Sequence, residues 1–431
     1  MPEIFAGRSR LANIAFTSGR PLGDWLRRMP TRILITLLAA GAMALGATPA
    51  AADQTEEPTL EGRAILPADA TAPAPFPGVP NTDPAPAPGS TQPVGGFSAL
   101  LDFPGRNLFL AMPDNGFGNK ANSRSFLLRV YLVRADFETA RGGDGDVQIL
   151  GSITLRDPGR RLPFEIVNGD TPERLLTGGD FDIESFRIGR RGDLWFGDEF
   201  GPFLLHTDIT GRVLEPPIPL PDVKSPDYPA DFPAPFDGPA NLASSNGFEG
   251  MALSQDGRKL YPTLEGAVAG DDPTVRRMYE FDIREGSYTE TRRTYRVADP
   301  TYLVSDLTAL DERRLIALER DNFQGVAAMH KQGFVVDLRG IADDGSLAKR
   351  PVVDLLDLAD PALISLPGRP GDIGLGDPFS MPYVTIEAVL PLGGSRLAIV
   401  NDTNFGSTGR NPALPDYSDF IVVRAPGVRG R

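Results

Sequence analysis

Acidic side chains recur along this chain in a fixed setting, and they are where chemistry is to be sought. Asp114-Asn115-Gly116-Phe117-Gly118, Asp198-Glu199-Phe200-Gly201, Glu265-Gly266, Glu319-Arg320-Asp321-Asn322-Phe323 and Asn401-Asp402-Thr403-Asn404-Phe405-Gly406 each close a short apolar run. Upstream of four of these loops stand Glu184, Glu249, Asp306 and Glu387. Carboxylates in loops of Asn and Gly suit two tasks: holding a hard cation through oxygen, and moving a proton during hydrolysis. Other chemistries are poorly supplied. There is no cysteine, and the two histidines are His206 and His330, too few for a zinc site built on imidazole. Neither a Gly-x-Ser-x-Gly elbow nor a Gly-Lys-Ser/Thr phosphate loop is present. A metal would therefore take oxygen ligands, which points to calcium, with magnesium or manganese less suited.

The elements around these residues repeat. Each copy reads as strand, tight turn, strand, acidic loop. Leu100 to Leu108, Phe186 to Leu194, Leu307 to Leu315 and Val389 to Leu397 are each eight residues apart, and Met251 to Leu260 is nine. Five near-equal hairpins predict radial repetition of one unit, an all-β β-propeller. Six blades are expected, with five or seven open, the last closed by pairing of Leu60–Leu66 with Asp419–Arg424. Pro-rich stretches at 72–93 and 215–239 read as loop insertions over one face.

A hairpin's first strand begins at the end where its second strand finishes. In a closed ring, Glu184, Glu249 and Glu387 would therefore meet Asp114, Asp198, Glu199, Glu265, Glu319 and Asp402 at one mouth of the central channel. Unit charges about 4 Å apart repel by about 4 kcal/mol at an effective dielectric of 20, so such a ring calls for raised pKa values or a bound cation. Asp114, Glu184, Asp198, Glu249, Glu387 and Asp402 are the expected metal ligands, and Glu199, Glu265 and Glu319 the expected catalytic carboxylates. Lys120, Arg124 and Arg320 are placed to grip an anionic substrate. The phenylalanines Phe117, Phe200, Phe323 and Phe405 read as packing plugs between blades, and His206 as structural.

The N-terminus reads as an export signal. Residues 33–47 are an apolar run preceded by Arg27, Arg28 and Arg32, and Ala50-Ala51-Ala52 offers a cleavage site before Asp53. Translation from Met29 would give a conventional signal, and no membrane span is expected after cleavage. Residues 1–52 are thus the expected signal and 57–427 a single propeller domain, periplasmic or secreted. Net charge is −14; removing 1–52 leaves 37 basic and 55 acidic residues, a surface that repels nucleic acid and anionic membranes.

Taken together, these pieces resemble the phytase-like proteins described by an esterase-like activity of phytase. The matching residues are Gly62–Asp69, Gln92–Ala99, Asp114–Asn122, Phe126–Tyr131, Phe181–Glu184, Gly197–Pro202, Gly247–Met251, Leu318–Arg320 and Asn401–Gly406. The resemblance implies a propeller related to calcium-dependent phytases, with the recurrent Asp and Glu as its active face. The expected function is an exported calcium-dependent phosphoesterase acting on a small anionic or ester substrate. A calcium-dependent lactonase or carboxylic-ester hydrolase, and a non-enzymatic calcium-stiffened propeller that binds a cell-surface partner, remain open. The chain departs from the pattern in its Pro-rich 215–239 loop and in Ser305-Asp306 of the fourth copy.

Overall fold

Short apolar runs cut by Gly, Asp and Pro are too brief for helices and fold as strands. The computed structural model describes residues 56–73 and 91–429, in which strands dominate and only two short 3-10 turns interrupt them. The expected signal over 1–52, the Met29 start, and most of the first Pro-rich stretch lie outside the described residues. None of the described helices is long and apolar enough to cross a membrane.

Strand β1 (Thr59–Leu66) precedes a small hairpin, β2 (Thr71–Pro73) with β3 (Thr91–Pro93). Four meanders follow. The first blade is β4 (Ala99–Phe103), β5 (Leu108–Met112), β6 (Arg129–Asp136) and β7 (Asp146–Thr154). The second is β8 (Ile183–Ile188), β9 (Leu194–Asp198), β10 (Phe203–Thr207) and β11 (Ile218–Pro219). The third is β12 (Phe248–Leu253), β13 (Lys259–Leu264), β14 (Val275–Asp282) and β15 (Ser287–Arg296). The fourth is β16 (Leu303–Ala309), β17 (Arg314–Arg320), β18 (Lys331–Ile341) and β19 (Leu347–Asp354). The fifth takes β20 (Ile386–Gly393), β21 (Arg396–Asn401) and β22 (Ser418–Arg424) and borrows β1, antiparallel to β22, as its outer strand. A single bridge, Ile65 to Asp146, links β1 to β7 of the first blade.

The innermost strands β4, β8, β12, β16 and β20 pack each on the next, and β20 returns to β4. The apolar core agrees. Five separate clusters lie one between each pair of neighbouring blades: around Phe186 and Leu110, Trp195 and Met251, Leu307 and Tyr295, Ile316 and Ile399, and Phe109 and Phe420. The described residues thus form a five-bladed propeller, which corrects the expectation of six. The five recurring hairpins are the inner pairs of all five blades. The expected pairing of the chain's two ends does occur, but it completes the fifth blade and adds none.

Glycines set the hairpin turns that fix these registers: Gly192 (φ 82°) and Gly257 (φ 61°) occupy the left-handed region that other residues resist. Within 215–239, only Ile218–Pro219 joins a sheet, while Tyr228 and Phe232 pack on the core between the first two blades.

An ion pair crosses between blades below the mouth. Arg187 of the second blade reaches across to the fourth, where it donates to Asp306 (3.1 Å) and to Thr308 Oγ1 (2.8 Å). The other Asp306 oxygen accepts from the Val389 amide of the fifth blade at 2.9 Å. Three blades are thereby tied at one point.

Candidate functional site

A bulge in the innermost strand aims the first set of acids. The register of the inner pair shifts between Ile183 and Ser185, Phe248 and Gly250, Val304 and Asp306, and Ile386 and Ala388. The extra residue is Glu184, Glu249, Ser305 and Glu387 in turn; such a bulge leaves the ladder and re-aims its side chain. The second set follows from the same register. Ile183 faces Asp198, Phe248 faces Leu264, Val304 faces Glu319 and Ile386 faces Asn401. The next residue out, at the mouth, is therefore Glu199, Glu265, Arg320 and Asp402, with Asp114 in the first blade. Four acids and one arginine occupy equivalent places.

Close approach of neighbouring blades needs glycine here. A Cβ on Gly96 would lie 2.5 Å from the Asp402 backbone, and one on Gly247 would lie 2.5 Å from that of Glu199. In the second blade that same place holds Asp182, a further acid at the mouth beyond those expected from the sequence.

The acids converge. Carboxylate oxygens of Asp114, Asp182 and Glu184 lie within 4.8 Å of one another, as do those of Glu184, Glu249 and Glu387, so two triads share Glu184. All five residues are buried. Arg320 lies on the far triad, its Nη2 2.9 Å from Glu265, 3.3 Å from Glu387 and 3.7 Å from Glu249. Even so, Asp182 Oδ1, Glu184 Oε2, Glu199 Oε1, Glu249 Oε1 and Asp402 Oδ1 are buried with no hydrogen-bond donor among the described residues.

Electrostatics follow from this crowding. Burial, then the charge of neighbouring acids, pushes Asp114, Glu184, Glu199 and Glu249 well above the usual carboxylate range. Burial raises Asp182 to about 6. It also raises Glu387 to about 8, against the pull of Arg320. Burial acts to lower the Arg320 guanidinium, but Glu265, Glu387, Glu249 and Glu199 outweigh it and hold the proton on. Among the described residues, orphaned oxygens, no soft ligand and Arg320 bonded among many acids form a donor set suited to a hard metal ion.

Other selected residues take different places. Asp198 is spent on the backbone: one oxygen accepts from the Asp182 amide (2.8 Å) and the other from Gly201 (2.7 Å), bracing the loop that carries Glu199. Glu319, one residue short of the mouth position, turns away between the third and fourth blades. There it meets Tyr295, Lys349 and His330, and these partners outweigh burial to hold its carboxyl below the usual range. Lys120 sits at the rim, donating to the Asp227 carbonyl at 3.1 Å, 5.3 Å from the Phe200 ring centre. Arg124 is exposed beside Gly179. Phe117 and Phe405 pack together with Phe126 across the first and fifth blades, and Phe200 is buried, but Phe323 is half-exposed and plugs nothing. His206 stacks on Trp195 at 3.9 Å, between Asp193 and Glu215.

Comparison with known proteins places the chain. An uncharacterized secreted protein of Arthroderma benhamiae is 29% identical over 229 residues, 43% of this chain and 44% of that protein, so the match spans less than half of the relative. Among solved structures, a periplasmic gluconolactonase of Pseudomonas aeruginosa is similar at 14% identity and a TM-score of 0.29, over 77% of each chain. The PQQ-bound aldose sugar dehydrogenase of Streptomyces coelicolor is similar at 13% identity and a TM-score of 0.34, over 85% of this chain and 99% of that one. Likeness at this level carries no argument about chemistry. A family model spanning residues 92–405 does bear on it, because it contains the acidic hairpins of all five blades. By that match the chain belongs to the phytase-like family, described by the esterase-like activity of phytase.

Proposed function

We propose that this protein is an exported, calcium-dependent hydrolase of phosphate esters, working at the mouth of its propeller channel. The observation that carries the reading is the pair of buried carboxylate triads sharing Glu184, with orphaned oxygens on Asp182, Glu184, Glu199, Glu249 and Asp402. Calcium takes six to eight oxygens in loose geometry, which suits this donor set better than the strict octahedron of magnesium. Asp114, Asp182 and Glu184 would hold it on the side that lacks a cation, with Glu249 and Glu387 opposite. When bound, calcium supplies positive charge that offsets both the acids and an anionic substrate.

The protein's own groups then have distinct tasks. Glu199, raised by burial and with one oxygen unpartnered, is suited to accept a proton from an attacking water. Arg320 keeps its Nε unpartnered and can orient a phosphate oxygen, while Glu265 fixes its other end. A cavity of about 560 Å³ lined by Glu265, Arg320, Asn322 and Phe323 adjoins these groups, room for a small ester. Lys120 at the rim draws anions toward an otherwise acidic surface. Export is supported by the expected signal and by the secreted relative.

The test is release of inorganic phosphate from mono- and diesters by purified protein. Turnover should vanish with EGTA and return on adding calcium. Failure to release phosphate from a broad ester panel in millimolar calcium would contradict the reading; cleavage of lactones or carboxylic esters alone would favour the esterase alternative that the family's description suggests.

A further inference from the structure

We propose that Arg129 is the seat of a small monovalent anion, of the chloride class, enclosed between the first and fifth blades. This inference is independent of the reading of the channel mouth. Arg129 opens β6 and has no exposed surface, yet its Nε, Nη1 and Nη2 find no acceptor among the described residues. Other buried arginines are served. Arg410 donates to Asp419 at 2.9 Å and to the Ser380 carbonyl at 2.7 Å. Arg276 reaches the carbonyls of Pro273 (2.8 Å) and Pro300 (3.1 Å), and Arg187 has Asp306. Arg129 differs from all three.

A guanidinium does not relieve burial by shedding its proton, because its pKa lies above about 12. An uncompensated buried charge is among the costliest features a fold can carry. Among the described residues, the neighbourhood supplies further donor capacity and no ion-pair partner for Arg129. Tyr131, two residues along on the same face of the strand, lies beside the guanidinium within reach of Arg129 and Gln92, but its buried hydroxyl makes no well-formed hydrogen bond among the described residues. Burial pushes that phenol up, so it is a neutral donor and not the missing anion. Gln92 lies against the Tyr131 hydroxyl, but its side-chain amide is committed to the Leu127 backbone, accepting at 2.9 Å and donating at 2.9 Å. Tyr131 and its strand neighbours Val133 and Ala135 belong to the apolar cluster that joins the first and fifth blades, so the site lies inside an interface.

These features define the ligand. It must bring one negative charge, accept hydrogen bonds from a guanidinium and a phenol, and fit where no polar atom is exposed. A halide meets all three conditions. A phosphate or sulfate dianion brings excess charge and bulk.

The deciding experiment is a bromide soak of crystals of the wild-type protein, read by anomalous scattering. A peak within hydrogen-bond reach of the Arg129 guanidinium is expected, and its absence would overturn the proposal. A solution measurement accompanies it. Protein held in halide-free gluconate should show a saturable rise in melting temperature, of order 2 °C, as chloride replaces gluconate at constant ionic strength. Arg129→Met should abolish that dependence and Tyr131→Phe should weaken it, whereas the same rise in Arg129→Met would count against the site.

Discussion

At the scale of single residues, the proposed function turns on where one side chain points. Glu184 belongs to both triads, and Glu319, although acidic and near a strand end, belongs to neither. Glu184→Gln should therefore weaken calcium binding by about 100-fold and cut turnover in proportion, whereas Glu319→Gln should leave metal content unchanged and lower only stability. Calorimetric calcium titration of the two variants checks this; equal loss in both would break the assignment. The difference between these residues was only partly legible in the sequence. Acids at strand ends could be placed at one mouth because hairpin geometry is simple. By strand register, however, Glu319 faces Val304 as Asp198 faces Ile183, one step inside the mouth, and Arg320 takes the mouth place. Asp182 had a signal that went unused: it stands where two other copies carry Gly96 and Gly247, an acid in a place otherwise kept free of side chains.

At the scale of elements, the borrowed strand β1 is what closes the ring, and its attachment is ionic as well as hydrogen-bonded. Arg63 of β1 donates to Asp419 of β22 at 2.7 Å, and the other Asp419 oxygen accepts from Arg410 (2.9 Å) and the Tyr383 hydroxyl (2.6 Å). Burial alone would raise Asp419, but the two arginines outweigh it and hold the carboxyl below its ordinary value. A depressed carboxylate contributes stability that is full above its unfolded pKa, near 4, and is lost as pH falls through the folded value. Asp419→Asn should cost about 3–5 kcal/mol at neutral pH by leaving buried charge unpaired, and should flatten the acid limb of stability against pH. Denaturant unfolding between pH 3 and 7 is the check, and a variant as stable as the parent would contradict it. The sequence foresaw this pairing of chain ends yet miscounted the blades. A strand that joins the C-terminal sheet looks alike in sequence whether it completes a blade or starts one; only the core clusters between blades decide.

At the scale of the whole molecule, one set of groups opposes the fold and another supports it. Carboxyls at the mouth are raised, Asp182 to about 6 and Glu387 to about 8, so the folded protein binds protons there that the unfolded chain does not. Stability of calcium-free protein should therefore fall as pH rises from about 4 to 8. Saturating calcium should remove that decline, because the ion replaces the protons. Melting curves with EGTA and with calcium across that range test it, and parallel curves would argue against a bound ion. That four blades deliver acids, and the fourth blade in chain order an arginine, to one cation-binding mouth is tested most directly by calcium titration of chelated wild-type protein with simultaneous proton release. Saturable uptake of at least one calcium per chain, with protons released and with uptake lost in Glu184→Gln, is the expected result; no uptake at millimolar calcium would contradict it.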